Sequence, residues 1–211
     1  MMARTGTARE KILDAALKLV RAKGFSATSV DDLCAEAGVT KGAFFHHFAS
    51  KEALGVAAAE HWSTLTTKLF AGAPYHLVAD PLERLLAYLQ FRRDILRGEL
   101  AEFTCLVGTM VQEVYAEHPA IGAACQASIS GHAATLEPDI AAAMRARGWE
   151  PDGSGTGWSA ASLALHTQAV LQGAFILAKA KGGPAIAEES VDHLSRYIRM
   201  LFGSLQTRPT N

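Results

Sequence analysis

Apolar residues recur along this chain at intervals of three and four, and polar caps, glycines and prolines cut the pattern into helical segments. Thr7-Ala8-Arg9-Glu10 forms a capping box ahead of Ile12, Ala16, Leu19 and Val20, so a first helix should end near Lys23-Gly24, with Phe25 completing its small core. Ser29 and Asp32 repeat the box, and Val30, Leu33, Cys34 and Ala37 fall on one face, which predicts a helix over 30–37. Gly38 supplies the positive φ of a helix stop, and Thr40 is an N-cap for a short helix over 41–47 seated by Phe44 and Phe48. Ser50 caps a long helix to about residue 71, carrying Leu54, Ala58, Trp62, Leu65 and Leu69. Asp80-Pro81 opens the next, to about residue 97, and further helices are expected near 101–117, 119–147, 158–181 and 187–206. No strand alternation and no internal repeat interrupts this pattern, so the chain reads as all-α. Met1 to Gly6 carry no packing pattern, and Arg4 there reads as a solvated charge.

Two short helices on a glycine turn present the second to a DNA major groove, where short side chains at its start approach base edges. Packing of Phe44 and Phe48 leaves Thr40, Lys41, Ala43, Phe45, His46 and His47 facing outward, and Lys51 at the next helix start is placed to reach a phosphate. The run Gly38-Val39-Thr40-Lys41-Gly42-Ala43-Phe44-Phe45-His46-His47-Phe48-Ala49-Ser50-Lys51-Glu52-Ala53-Leu54 resembles the signature of TetR/AcrR transcriptional regulators, over roughly residues 7–54. That family usually has tyrosine where this chain has Phe45, so the resemblance implies one phosphate hydrogen bond fewer. The candidate DNA-contacting set is Thr28, Ser29, Thr40, Lys41, Gly42, Ala43, Phe45, His46, His47 and Lys51. The resemblance further implies a helix-turn-helix domain of three helices over 1–50, and a larger ligand-binding and dimerisation domain of about nine helices over 51–211.

Composition modifies this picture only slightly. The net charge of −1 does not announce nucleic acid, but through residue 55 eight Lys/Arg face six Asp/Glu, while twelve face fifteen beyond it. The sign favours a basic N-terminal face and an acidic remainder. Cys34, Cys105 and Cys125 lack zinc or disulfide spacing, and His61, His118, His132 and His166 are scattered, so neither metal nor cofactor is expected. No basic-then-apolar leader opens the chain and no uninterrupted apolar run approaches a membrane span, which predicts a cytoplasmic protein without membrane partners.

The last two expected helices carry Leu163, His166, Val170, Gly173, Ala174 and Leu177, and Leu194, Ile198, Leu201 and Phe202, as apolar stripes with small residues. In the resembling family such a pair forms a four-helix homodimer interface, which with two-fold symmetry implies a pseudo-palindromic operator in double-stranded DNA. The family also implies a small-molecule effector held among the middle helices. Candidate lining residues are Trp62, Leu65, Tyr88, Phe91, Phe103, Cys105, Met110, Tyr115, Trp158, Gln172 and Phe175, suited to an apolar or aromatic compound. Phe103-Thr104-Cys105-Leu106-Val107-Gly108 is also similar to a segment of regulators that sense electrophiles or oxidants, so Cys105 offers an alternative sensor. Paired carboxylates at Glu99/Glu102 and Glu188/Glu189 lack a triad or cofactor motif, which argues against an enzyme. A protein whose dimer face is its whole function is the third reading.

Overall fold

The computed structural model describes residues 6–204, so Arg4 and the expected end of the last helix near 206 lie outside the described residues. Eleven α-helices and one short 3-10 turn make up the described chain, with no strand among these residues. They are α1 (Ala8–Lys23), α2 (Val30–Ala37), α3 (Lys41–His47), α4 (Lys51–Ala71), α5 (Pro81–Asp94), α6 (Leu100–Phe103), α7 (Leu106–Val114), α8 (Pro119–Ala134), α9 (Glu137–Arg145), α10 (Ala160–Lys181) and α11 (Ala185–Ser204). The first four helices start where the caps predict. Thr7 and Glu10 exchange backbone and side-chain hydrogen bonds at 3.3 and 2.8 Å, and Ser29 and Asp32 do so at 3.0 and 2.9 Å. Gly38 ends α2 in the left-handed conformation at φ 64°.

Two expected helices are broken. The segment predicted over 101–117 divides at Thr104, whose buried hydroxyl donates to the Leu100 carbonyl at 2.6 Å, and Cys105 turns extended to cap α7. The segment predicted over 119–147 divides at Thr135-Leu136. Its second part begins with Pro138 in the first turn, where the missing N–H is harmless but an uninterrupted helix would lack a hydrogen bond. The 3-10 turn Pro74–Leu77 is an element that the apolar pattern does not predict.

The chain gathers into two compact units that do not follow chain order. Unit one holds residues 1–69 and 100–129, and unit two holds 70–99 and 130–211. In unit one a single core joins Ile12, Leu13 and Val20 of α1, Leu33 of α2, Phe44 of α3 and Leu54 of α4 with Leu106, Met110, Val114 and Ile121 of α7 and α8. Close approach is built in at Gly55, where a Cβ would stand 2.7 Å from Ile121 Cδ1 and 3.0 Å from Phe25 Cε2.

In unit two, α5 packs on α9 and α11, and α10 packs on α9 and α11. Arg84 of α5 meets Asp139 of α9 at 2.6 Å, and Arg93 of α5 meets Glu188 and Asp192 of α11 at 3.2 and 3.1 Å. Helix α10 is long and apolar enough to cross a bilayer by length and composition, although polar residues interrupt its apolar run. Here it is a core helix, burying Leu163, Ala164, Leu171, Phe175 and the polar Thr167 and Gln168.

Candidate nucleic-acid interface

The α2–α3 pair is held from within by Phe44, fully buried, and Phe48, with ring centroids 5.8 Å apart. Thr40 caps α3 by accepting from the Ala43 N–H at 3.1 Å, which fixes the helix start that would face a groove. Thr40, Lys41, Gly42, Phe45 and His46 are exposed, and Ala43 and His47 are half-buried, so the outward row predicted for this helix lies on its surface. Phe45 is 51% exposed, and its ring meets Phe44 edge-on at 5.2 Å. The half of the ring that faces water suits packing against a sugar or thymine methyl.

Gly42 is informative because nothing inside the chain requires it. A Cβ there would meet only Thr40 Oγ1, at an ordinary 3.8 Å. The bare backbone at the second position of α3 leaves room for an outside surface to come close.

Lys41 donates to Asp31 Oδ1 at 2.8 Å, and that hydrogen bond raises the ammonium's pKa, so it stays charged. Asp31 was not among the sequence candidates; its place one helix away but on the same surface appears only in three dimensions. Lys23 and Lys18 are likewise paired, with Asp32 at 2.8 Å and Glu36 at 2.6 Å. These exposed pairs stabilise little. Their consequence is that the acidic residues of α2 tether lysines of α1 and α3.

One member of the predicted set is corrected, and a second is engaged within the chain. Thr28 is 1% exposed and its hydroxyl donates to the Gly24 carbonyl at 2.6 Å, so it is a turn residue of the core and is not presented to DNA. Lys51 is half-buried: its ammonium lies 4.5 Å from the Phe25 ring centre and donates to the Ser26 carbonyl at 3.3 Å. Burial lowers its pKa, and in this structure it braces the α1–α2 turn. Ser29 is exposed at the α2 N-cap, as expected.

The predicted lining residues are divided between the two units. Trp62, Leu65, Phe103, Cys105, Met110 and Tyr115 fall in unit one, and Tyr88, Phe91, Trp158, Gln172 and Phe175 in unit two. Met110 is a fully buried core residue of unit one, Trp62 lies under the Arg21 guanidinium at 5.0 Å, and Leu65 and Tyr115 are exposed at 42% and 71%. Cys105 caps α7, its Sγ accepting from the Gly108 N–H at 3.4 Å. In unit two Trp158 packs edge-on against Trp149 and Phe202. No group of three or more His, Cys, Asp or Glu able to hold a metal occurs among the described residues.

Around Tyr88 the structure assembles a cluster that the sequence pattern missed. Phe70, Tyr75, Phe91 and His132 surround the Tyr88 ring region, and the phenol lies 3.0 Å from His132 Nε2 and 3.4 Å from Gln168 Nε2. Burial pushes the phenol up, while burial and then the Arg92 cation push His132 down to about 3, so both groups are neutral at pH 7. With Gln168 donating to the phenol oxygen, the Tyr88 O–H is left to donate to Nε2. His132 and Gln168 carried no signal beyond being polar residues inside apolar helical stretches.

The dimer candidates divide by burial. Leu163, Ala174, Leu194, Ile198 and Phe202 are at most 3% exposed within the chain's own core, Phe202 stacking on Trp149 at 5.6 Å, so they are not surface residues. His166 and Leu177 are exposed, and Val170, Gly173 and Leu201 are partly buried. The apolar residues that do face outward are Leu165, Ile176 and Leu177 of α10 and Tyr197 and Met200 of α11, between 41% and 65% exposed. Leu165 and Ile176 join Gly173 and Ala169 on this outer face, and the predicted stripe lacks both Leu165 and Ile176.

A family model described as "Bacterial regulatory proteins, tetR family" matches residues 12–58. The chain is similar to the transcriptional regulator AcuR of Cereibacter sphaeroides, 30% identical over 107 residues that cover 51% of this chain and 49% of that protein. It is also similar to the HTH-type transcriptional repressor DhaR of a Mycobacterium species, 28% identical over 113 residues, covering 54% of each. This chain thus spans about half the length of these relatives. Among solved structures, the regulatory protein TetR from Rhodobacter sphaeroides shares the fold, with a TM-score of 0.74 at 24% identity over 91% of this chain and 99% of that one.

Proposed function

We propose that this chain belongs to the TetR family of bacterial regulatory proteins and is a dimeric, ligand-responsive transcriptional regulator acting as a repressor on a pseudo-palindromic operator. The observation that carries this reading is the exposed start of α3: a capped helix, a glycine with no internal reason to be one, an ordered lysine and a half-exposed phenylalanine on one surface. Residues 1–50 act as the reader and residues 51–211 as the ligand-binding and dimerisation part. Thr40, Lys41, Ala43 and His46 approach base edges, Gly42 admits the DNA backbone, and Phe45 packs on sugar or methyl groups. The apolar faces of α10 and α11 pair with those of a second copy, and the two readers then lie about one DNA turn apart, ~34–36 Å.

The effector is a small apolar or aromatic molecule recognised in the aromatic region around Tyr88, with Gln168, Gln172 and His132 as the polar groups that orient it. To release DNA it must bind the DNA-incompetent conformation better than the competent one. The protein works in the cytoplasm, without cofactor, metal or catalytic step.

The test is a gel shift of the purified chain on duplexes from the DNA flanking its own gene, repeated with a panel of apolar and aromatic compounds. A retarded band that one compound abolishes is the expected result. A chain that retards no flanking or random duplex overturns the reading.

A further inference from the structure

The turn from Gly24 to Thr28 joins α1 to the α2–α3 pair, and nearly all of its polar groups are accounted for. Gly24 N–H bonds Val20 at 2.8 Å, Thr28 N–H bonds Phe25 at 3.1 Å, and the Thr28 hydroxyl bonds Gly24. Two amides at the apex, Phe25 and Ser26, have no partner among the described residues of the first fifty. Both donate to one carboxylate, Glu113 of α7, to Oε1 at 3.2 Å and Oε2 at 2.8 Å, from 88 and 87 residues away in the sequence. The Ser26 carbonyl accepts from Lys51 of α4, so the same peptide segment is gripped from two helices.

The fit is close. Gly24 sits at φ +91°, and a Cβ there would collide with the Glu113 carboxylate. The Phe25 ring lies between the Lys51 ammonium and the His118 ring, which stands edge-on at 6.1 Å, and His118 Nδ1 is 3.5 Å from Glu52 Oε1. All these groups belong to unit one. A carboxylate accepting two backbone N–H groups is among the stronger hydrogen-bond arrangements, and it acts on the peptide that leads directly into α2.

We propose that Glu113 is a positioning residue for DNA reading: by holding the Phe25 and Ser26 amides it sets the angle at which α2 and α3 leave α1, and it makes the 100–129 segment part of the reader. Changes in that segment then reach α3 through the turn, in addition to any movement of α4. The proposal rests on the operator-binding reading above and adds the residue that couples a later part of the chain to it.

The test compares the unmodified chain with Glu113→Gln, which places an amide NH2 against one of the two N–H groups, and with Glu113→Asp, which keeps the charge but shortens the reach. Binding is measured to a duplex selected from a random library by the unmodified chain and to a random duplex, together with thermal melting and amide exchange at Phe25 and Ser26. Both variants are expected to bind the selected duplex about tenfold more weakly, the scale of losing charge-assisted hydrogen bonds. Random-duplex binding should be unchanged, and the two amides should exchange faster. A purely structural role would lower both affinities together with the folded fraction, and unchanged discrimination with unchanged exchange would show that the clamp does not position the reader. Either result overturns the proposal. Failure of the unmodified chain to select any sequence would instead overturn the DNA-binding reading.

Discussion

The two compact units spend their polar groups differently. In unit one charged residues form exposed ordered pairs, Lys18–Glu36, Lys23–Asp32 and Lys41–Asp31, around a mainly apolar core whose buried polar side chains, Thr28 and Thr104, bond to nearby carbonyls. In unit two polar groups go inside, as Tyr88, His132 and Gln168, while the outer faces of α10 and α11 display leucine, isoleucine, tyrosine and methionine. The first arrangement suits a charged polymer that must be approached in one orientation. The second suits a small molecule within and an apolar partner without.

On that contrast, damage to one unit should leave the other folded. The largest effect is expected from Phe44→Ala, which opens a cavity under α3 and should destabilise unit one by ~3–5 kcal/mol. Urea melts followed by circular dichroism should show the loss, DNA binding should vanish, and light scattering should still report two chains. Ile176→Glu with Met200→Glu should do the reverse. Helix content should persist while the dimer dissociates, and operator affinity should drop on the order of a hundredfold because one half-site no longer helps the other. A chain that stays dimeric with both glutamates would move the interface elsewhere.

His132 tests the buried chemistry of unit two. Its folded value is pushed down to about 3, against 6.5 for the free group, so between those values the unfolded chain holds the extra proton. Stability is therefore present above about pH 6.5 and is lost as pH falls towards 3, by up to about 1.4 kcal/mol per pH unit. His132→Gln should flatten that acid limb in melts between pH 6.5 and 4; an unchanged slope would mean that the imidazole is not held neutral. The smallest stability change separates folding from reading most cleanly. Gly42→Ala should leave the fold equal or more stable, by at most about 0.5–1 kcal/mol, because its Cβ meets no clash. It should nonetheless weaken operator binding in a titration, and tighter or equal binding would remove the close backbone approach.

How much of this was legible in the sequence follows from the range of the interactions involved. Local signals were read correctly: the Thr7 and Ser29 capping boxes, the Gly38 stop and the Thr40 cap all act within four residues. Exposure along α3 followed from Phe44 and Phe48 alone. The breaks at Thr104 and Pro138 were available but outweighed by apolar periodicity on both sides. What no local pattern contains is which of two faces of α10 turns inward, since the helix is apolar nearly all round and neighbouring helices decide. Leu163 and Ala174 were therefore expected outside and Leu165 was overlooked. The Glu113 clamp and the Lys51 brace were out of reach for the same reason. Each joins side chains to backbone groups distant in sequence, and Glu113 had no motif to mark it.

The central claim is that the α3 surface reads DNA as one half of a symmetric pair. It is tested most directly by selecting duplexes from a random library with the purified full chain and measuring the mass of the selected complex. The account predicts a two-fold palindrome with half-site centres one helical turn apart, ~34–36 Å, bound by two chains. No enrichment, or a single asymmetric site bound by one chain, would contradict it.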